Sequence, residues 1–199
     1  MKPDANILDY FRIIHKNCNS IEFTFDRKNS LYIPLFTTSI DHGLSIHLLE
    51  KQNLVVSCLA LARPMVESYL RAMWVKYCLT EDEIIEGGTT LHFPKKLEFM
   101  LDEIEKKRPG NDSFNWFKSS ITPALANMHD YTHAGIQSIG RQYGDNYNLT
   151  NESCSDEMSE LKKMSILVAS LSYEELIPFM DNTLTHVDIF TSATELIGL

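Results

Sequence analysis

The sequence predicts an all-α protein, a single-domain helical bundle of five to seven helices. Apolar residues recur every three or four positions through most of the chain, which is the spacing of one helix face. The 199 residues are 44% hydrophobic, enough for one substantial core. Only residues 21–25 alternate with the period of a strand, and an isolated strand leaves its backbone groups unpaired, so we expect an extended loop there.

Charge and cysteine usage exclude several classes of protein. A formal charge of -9 argues against bulk DNA binding, because such a surface repels phosphates except at a local basic cluster. The four cysteines are far apart and form no zinc-finger spacing, which is typical of a reducing compartment. The first residues do not resemble a signal peptide, and the longest apolar run, 55–62, is too short to cross a membrane. We therefore expect a cytoplasmic protein without membrane contact.

The N-terminal half of the chain begins with a peripheral segment, residues 1–30, that includes a short amphipathic helix over 6–16. A second helix follows over 33–51, with Pro34 suited to its first turn. The next helix, 53–79, is apolar nearly all round, which is typical of the central helix of a bundle. Pro64 lacks a backbone donor, so a kink or a helix boundary that frees a carbonyl is expected at residues 60–63.

The C-terminal half continues the helical pattern. Thr80 and Glu83 have the spacing of a capping box, in which each side chain bonds the other residue's backbone N–H. Gly135 is expected to end or bend a helix, and residues 144–156 are polar enough for a flexible loop. The helices predicted in this half cover residues 80–86, 94–107, 113–134, 136–143, 157–179 and 182–197.

Two polar stripes on apolar helices form the candidate site. Arg63, Glu67 and Arg71 share one face of the central helix, since they are four residues apart. A second stripe at similar spacing lies on the stretch 128–141. If the two stripes face each other, His133 and Glu67 are the candidate catalytic residues, with His133 as a general acid or base. The candidate ligand-binding residues are Arg63, Arg71, His129, Gln137 and Arg141.

Simpler interpretations of the same residues remain open. The first stripe is also what an ion-pair ladder on one helix looks like, and His133 is equally compatible with a structural hydrogen bond between helices. His129 and His133 are spaced to share a metal ion, but no second carboxylate and histidine pair accompanies them, so we predict no metal. No glycine-rich phosphate loop or nucleophile motif is present, and no cofactor is predicted.

A resemblance rests on three stretches, YIPLFTTSIDHGLSIHLLE, LALARPMVESYLRAMWVKYCLTEDEI and HDYTHAGIQSIGRQYGDNY. They resemble an uncharacterised family of bacterial all-helical proteins with Arg-Pro-x-x-Glu-x-x-x-Arg and Tyr-Thr-His-x-Gly motifs. That family is similar to HEPN helical bundles, many of which are ribonucleases of toxin or phage-defence systems. The Arg-to-His spacing of four to six residues in HEPN ribonucleases has no counterpart here. The matched positions are Arg63, Pro64, Glu67, Arg71, Trp74, Cys78, Tyr131, Thr132, His133, Gly135 and Arg141.

Two functional hypotheses follow. In the first, the resemblance implies a HEPN-like fold in a bacterial stress or defence system, and the stripes act on RNA or bind a small phosphate-bearing ligand. In the second, the chain is a non-catalytic helical module for dimerisation or partner binding, and the same residues form a structural polar network. The apolar run 161–197 predicts a homodimer in either case, because helical bundles commonly bury such a face between subunits.

Overall fold

A bundle of α-helices surrounds one central helix. The computed structural model describes residues 3–87, 92–140, 155–180 and 186–198. Short 3₁₀ turns at Thr122–Ala124 and Ile177–Phe179 connect helices in the second half of the chain. The helices are α1 (Pro3–Cys18), α2 (Asn29–Lys51), α3 (Val55–Cys78), α4 (Glu81–Gly87), α5 (Leu97–Lys107), α6 (Asp112–Ile121), α7 (Leu125–Thr132), α8 (Ile136–Gly140), α9 (Ser155–Leu176) and α10 (Val187–Ile197).

The predicted all-α class is confirmed. Within the described ranges no residue belongs to a β-strand, and seven helices have ten residues or more. The alternating stretch 21–26 has no regular secondary structure. One hydrogen bond, from the backbone N–H of Glu22 to the carbonyl of Phe179 at 2.8 Å, joins it to the turn after α9. A single bond of this kind does not make a sheet, because a sheet needs a ladder.

The core is built around α3, which packs against α2, α5, α7 and α9. Its buried residues lie on almost every side of the helix, as expected for a central helix. Met65, Leu70 and Met73 are fully inaccessible to solvent, and the ring of Tyr69 packs edge-on against Phe117 of α6, with 5.0 Å between centroids. Burial of these large apolar side chains is the main favourable contribution to the stability of the bundle.

α2 crosses α1 and α9 closely at Gly43. A Cβ atom on Gly43 would lie 3.3 Å from the ring of Phe11 and 3.3 Å from the carbonyl oxygen of Ser165. The absence of a side chain therefore lets the α2 backbone approach both neighbours. At the other end of α2, Asn53 adopts a left-handed backbone conformation with φ 57°, which asparagine tolerates better than most residues, and the chain turns directly into α3.

Pro64 does not divide the central helix. The sequence predicts a kink or a boundary at residues 60–63, whereas α3 is one helix from Val55 to Cys78. Pro64 still removes the N–H that would bond the carbonyl of Ala60. The hydroxyl of Thr132 lies 3.3 Å from that carbonyl oxygen, and it also lies 2.9 Å from the carbonyl of Met128 in its own helix. The carbonyl predicted to be freed thus lies beside the end of α7, and this contact supports an unbroken α3.

Two other elements differ from prediction. The helix expected over 113–134 is instead α6, a 3₁₀ turn and α7, because Pro123 lies in that turn and lacks the N–H that a continuing helix requires. The N-terminal segment 1–30 is not wholly peripheral. Phe11 and Ile14 of α1 are completely buried, so this helix belongs to the core.

The predicted capping box is confirmed. The backbone N–H of Thr80 donates to a carboxylate oxygen of Glu83 at 2.8 Å, and the N–H of Glu83 lies 3.3 Å from the Thr80 hydroxyl. Most of the predicted loop 144–156 lies outside the described residues, and its last two residues already belong to α9. None of the described helices has both the length and the apolar character that a bilayer span requires.

Candidate functional site

The arginine stripe, which we define as Arg63, Glu67 and Arg71, lies on one face of α3. The Nε atom of Arg63 is 3.7 Å from one carboxylate oxygen of Glu67, and an Nη atom of Arg71 donates to the other oxygen. The side chains of Arg63, Glu67 and Arg71 are 17%, 27% and 37% exposed, respectively. The stripe is therefore half-buried at the surface of the bundle, where both water and a ligand have access to it.

The stripe contains two cations and one carboxylate, so it carries one excess positive charge. The guanidinium of Arg63 makes no hydrogen bond to any described residue, since its contact with Glu67 is an ion pair without hydrogen-bond geometry. The Nε of Arg71 is also without an acceptor within the described part of the chain, although it is buried. Each guanidinium has five N–H donors. Most of the donors of the stripe remain available to an anion.

An aromatic pair holds the guanidinium of Arg71 in place. Its central carbon lies 4.9 Å from the centre of the Phe93 ring, within the range of a cation–π contact. The Phe93 ring in turn packs against Trp74, with 6.2 Å between centroids. A planar guanidinium that stacks on a ring loses less freedom when it binds an anion, because its orientation is already restricted. Trp74 is one of the positions that match the first motif.

The second stripe approaches α3 without bonding to the arginines. His129 in α7 and His133 directly after it are both exposed, and their ring centroids are 4.5 Å apart. The bond between Thr132 and the Ala60 carbonyl brings the end of α7 to α3, one turn before Arg63. No hydrogen bond or ion pair among the described residues links either histidine to the stripe. The two helices therefore meet, but their polar side chains do not form a continuous relay.

The motif Tyr131-Thr132-His133-Ala134-Gly135 has a structural reason. Ala134 adopts a left-handed backbone conformation with φ 52°, and the N–H of Gly135 donates to the carbonyl of Asp130 at 2.7 Å. A Cβ atom on Gly135 would lie only 2.6 Å from the side chain of Asp130. Glycine is required because any larger residue would overlap that carboxylate. This tight turn ends the helical segment with His133 exposed.

The two remaining predicted ligand-binding residues are located less fully. Gln137 belongs to the short helix α8, in which its side chain is not described, and Arg141 lies outside the described residues. Within the described part of the chain, no group of three or more histidine, cysteine, aspartate or glutamate side chains is arranged to hold a metal ion. His129 and His133 are close together but lack a third such partner there.

The described cysteines have the properties of packed thiols. Burial raises the pKa of Cys58 to about 11, and nearby carboxylates raise it further. Burial similarly raises the pKa of Cys78 to about 11 and that of Cys18 to about 12. A nucleophilic cysteine needs a lowered pKa, since the thiolate is the reactive form. These three residues therefore lack the electrostatic surroundings of a catalytic thiol.

A separate groove of about 630 Å³ lies between α3, α6, α7, α9 and the end of α10. Apolar side chains such as Ala62 and Met128 line it, with the carboxylates of Asp156, Glu157 and Glu160 among its lining residues. None of the predicted catalytic or ligand-binding residues lines this groove. Because carboxylates repel phosphates, the groove is not the anion site that the sequence predicts.

The sequence interpretation missed a buried ion cluster centred on Glu175, which is only 6% exposed. Its carboxylate accepts hydrogen bonds from Lys76 at 2.7 Å, from Tyr77 at 2.5 Å and from Arg108 at 2.9 Å. The guanidinium of Arg108 also lies over the Tyr77 ring, 4.6 Å from its centre. We call Lys76, Tyr77, Arg108 and Glu175 the Glu175 network. It joins α3, the end of α5 and α9.

Little in the sequence identifies this network in advance. Glu175 is nearly 100 residues from Lys76 in the chain, so no helical spacing connects them. The one available signal is that Glu175 lies in an apolar stretch, 164–180, where a lone carboxylate would be costly without a partner. That signal predicts a partner but does not say which cation supplies it.

Comparison with known proteins gives one family. Residues 36–174 match the model described as "Family of unknown function (DUF6988)", which covers more than half of the chain. No curated protein and no solved structure matches the sequence significantly. The match agrees with the predicted resemblance to an uncharacterised family. The more distant likeness to HEPN bundles stays a prediction.

Proposed function

This chain belongs to the family of unknown function DUF6988, and we propose that it binds a phosphate-bearing ligand at the arginine stripe of α3. The observation that supports this proposal best is the pair of guanidiniums around a single carboxylate. Arg63 makes no hydrogen bond to a described residue, and Arg71 has a buried Nε without an acceptor there. Guanidinium forks of this kind match the geometry of phosphate oxygens.

The charge distribution limits the size of the ligand. The chain carries a formal charge of -9, whereas the stripe has one excess positive charge. A long nucleic acid meets the repulsive surface as well as the stripe, so it gains little. A small phosphate-bearing molecule or a short single-stranded RNA contacts mainly the stripe. These two are the ligand classes that the electrostatics favour.

In the catalytic form of the proposal, the chain is a HEPN-like ribonuclease of a bacterial stress or defence system. His133 then acts as general acid or base and Glu67 orients the arginines or takes a proton. The exposure of His133 and the contact of α7 with α3 beside Arg63 support access of the histidine to a bound ligand. A cytoplasmic homodimer, with the run 161–197 at its interface, is the assembly we propose with it.

The alternative is a non-catalytic binding module, and a specific observation favours it. No hydrogen bond or ion pair among the described residues connects His129 or His133 to the stripe, so no assembled relay is present before a ligand binds. In this form the arginines bind the ligand without reaction. Both forms share the stripe as the ligand site and differ only in the role of His133.

Binding of a fluorescently labelled short RNA and of inorganic pyrophosphate to the full chain tests the shared part. We expect Arg63→Ala and Arg71→Ala each to weaken binding about tenfold or more, because each removes charge-assisted hydrogen bonds. Arg12→Ala is the matched control, since Arg12 is exposed and pairs with Asp9 on α1. Equal weakening by Arg12→Ala, or no binding by the unmodified chain, contradicts the proposal.

Cleavage of the same RNA separates the two forms. If the chain is a ribonuclease, His133→Ala lowers the rate by about two to four orders of magnitude, while the helical circular dichroism signal stays unchanged. His129→Ala removes the neighbouring ring and is the matched control. Binding without cleavage by the unmodified chain supports the non-catalytic module.

A further inference from the structure

The groove between α3, α6, α7, α9 and α10 has the features of a docking surface. Its volume of about 630 Å³ is lined by apolar groups, including Leu59, Ile121, Met164 and Leu167. Trp116, which also lines it, is 44% exposed, an unusual exposure for so large an apolar residue. We propose that this groove binds a basic amphipathic helix of a partner protein.

The apolar lining favours a helix as the occupant. Amphipathic helices bind by placing apolar residues, repeated at helical spacing, into a hydrophobic groove between the helices of a receptor. Met128 and Met164 contribute flexible, polarisable side chains that adapt to different apolar partners. An exposed tryptophan beside them provides a large contact area, which is typical of the residues that contribute most to binding.

The charge of the lining determines the sign of the partner. Asp156, Glu157 and Glu160 line the groove, and Lys163 is its only lysine or arginine within the described residues. Lys163 is already paired with Glu160 at 2.9 Å, which offsets one of the three carboxylates. The lining therefore keeps a negative excess, and lysines or arginines beside the apolar face of a helix complement it.

The same charges disfavour other occupants. A second copy of this chain would place the same carboxylates opposite each other, and the whole chain carries a formal charge of -9. A small apolar molecule fills the apolar lining but leaves Glu160, whose side chain is 72% exposed, without a complementary partner. The arginine stripe does not line the groove, so this inference is independent of the phosphate site.

The test measures binding of labelled model peptides to the full chain at physiological salt. The probe is a helical peptide of about 18 residues made of leucine and lysine, with the leucines on one face. We expect it to bind the chain, whereas a scrambled peptide of equal composition and a leucine and glutamate peptide bind at least about tenfold more weakly. Equal binding of the scrambled peptide shows bulk charge attraction and overturns the proposal.

Variants locate the peptide on the protein. Met164→Lys puts a cation in the apolar lining and Glu160→Lys reverses a lining charge, so each is expected to weaken binding about tenfold or more. The matched controls are Phe99→Lys and Glu98→Lys, which change exposed residues of α5 outside the groove and leave binding unchanged. Circular dichroism verifies that all four variants fold.

Two results would overturn the proposal even if the peptide binds. The first is an equal loss of binding in Glu98→Lys and Glu160→Lys, which shows that net charge rather than the groove attracts the peptide. The second is a concentration-dependent dimer in sedimentation that Met164→Lys converts to monomer. In that case the groove is covered by a second copy of the chain.

Discussion

The arginine stripe and the Glu175 network are built from the same groups, one carboxylate and two cations, but they differ in how the fold assembles them. The stripe lies within two turns of a single helix, and its side chains are 17% to 37% exposed. The network takes its residues from α3, the end of α5 and α9, and Glu175 is 6% exposed. The stripe follows from local spacing, whereas the network requires the folded bundle.

This difference indicates different roles. In the network every carboxylate oxygen has a donor within hydrogen-bond distance, and the contacts join three helices. In the stripe, Arg63 has donors that no described residue uses, and the charges join no two helices. A saturated, buried cluster stabilises a fold, while an unsaturated, half-buried one can bind a ligand. Variants of the two clusters test this assignment.

The largest effect is expected for Glu175→Ala. Removal of the carboxylate leaves Lys76 and Arg108, which are 18% and 21% exposed, without their anion. We expect the free energy of unfolding to fall by about 3 kcal/mol, since an uncompensated buried charge is costly. Urea unfolding followed by circular dichroism measures this change.

Glu174→Ala is the matched control for Glu175→Ala, because Glu174 is the adjacent residue of α9 and is exposed. We expect its effect to be within about 0.5 kcal/mol, as for most surface substitutions. Similar losses in the two variants would mean that the Glu175 network does not stabilise the bundle, and the proposed contrast with the stripe would be lost.

A smaller effect, about 1.5 kcal/mol, is expected for Tyr77→Phe, which removes a hydrogen bond to the Glu175 carboxylate and keeps the ring beneath Arg108. Burial raises the pKa of Tyr77 above its ordinary value, and the hydrogen bond to Glu175 raises it further. The unfolded chain loses this proton near pH 10 while the folded chain retains it. The stabilising contribution is therefore complete below about pH 10 and is lost as the pH rises.

The pH dependence gives Tyr77→Phe a second readout. Between pH 9 and 11, roughly the range around the ordinary tyrosine pKa, the variant should lose less stability than the unmodified chain because it lacks one ionising group. Urea unfolding at several pH values measures the two slopes. Parallel slopes would show that the Tyr77 hydroxyl is not protected from ionisation in the folded state.

The smallest effect is expected for Glu67→Ala in the stripe. Because its partners are partly hydrated, the loss should be about 1 kcal/mol or less. About 1 M salt screens exposed charges beyond roughly 3 Å, so this cost should shrink in high salt while the cost of Glu175→Ala changes little. A loss for Glu67→Ala of about 3 kcal/mol or more would place the stripe with the buried clusters.

Helices and their local signals were predictable because they depend on neighbouring residues. The central helix was predicted over 53–79 and observed at Val55–Cys78, and the capping box at Thr80 formed as its spacing indicates. The freed carbonyl near Arg63 also follows from Pro64 alone. Whether a proline ends a helix was not predictable in the same way. Pro64 lies within a continuous helix, whereas Pro123 lies where α6 gives way to a 3₁₀ turn.

The candidate site divides along the same line. The sequence identifies Arg63, Glu67 and Arg71 as one face, because four-residue spacing fixes their geometry on any helix. It also suggests that the stretch carrying His129 and His133 faces them, and α7 does contact α3 at Ala60. The exposure of both histidines depends on the turn at Gly135 and on the packing of α7, which helical periodicity does not specify.

The sequence by itself determined the all-α class, the long central helix and the arginine stripe, since each depends on side chains that are close in the chain. The tertiary structure alone decided that Glu175 meets Lys76 and Arg108, that α1 enters the core, and that a groove with acidic side chains lies apart from the stripe. Helical periodicity sets which face of a helix is apolar. It does not set which neighbour covers that face, because many helix pairings bury similar apolar area and only the complete packing selects one.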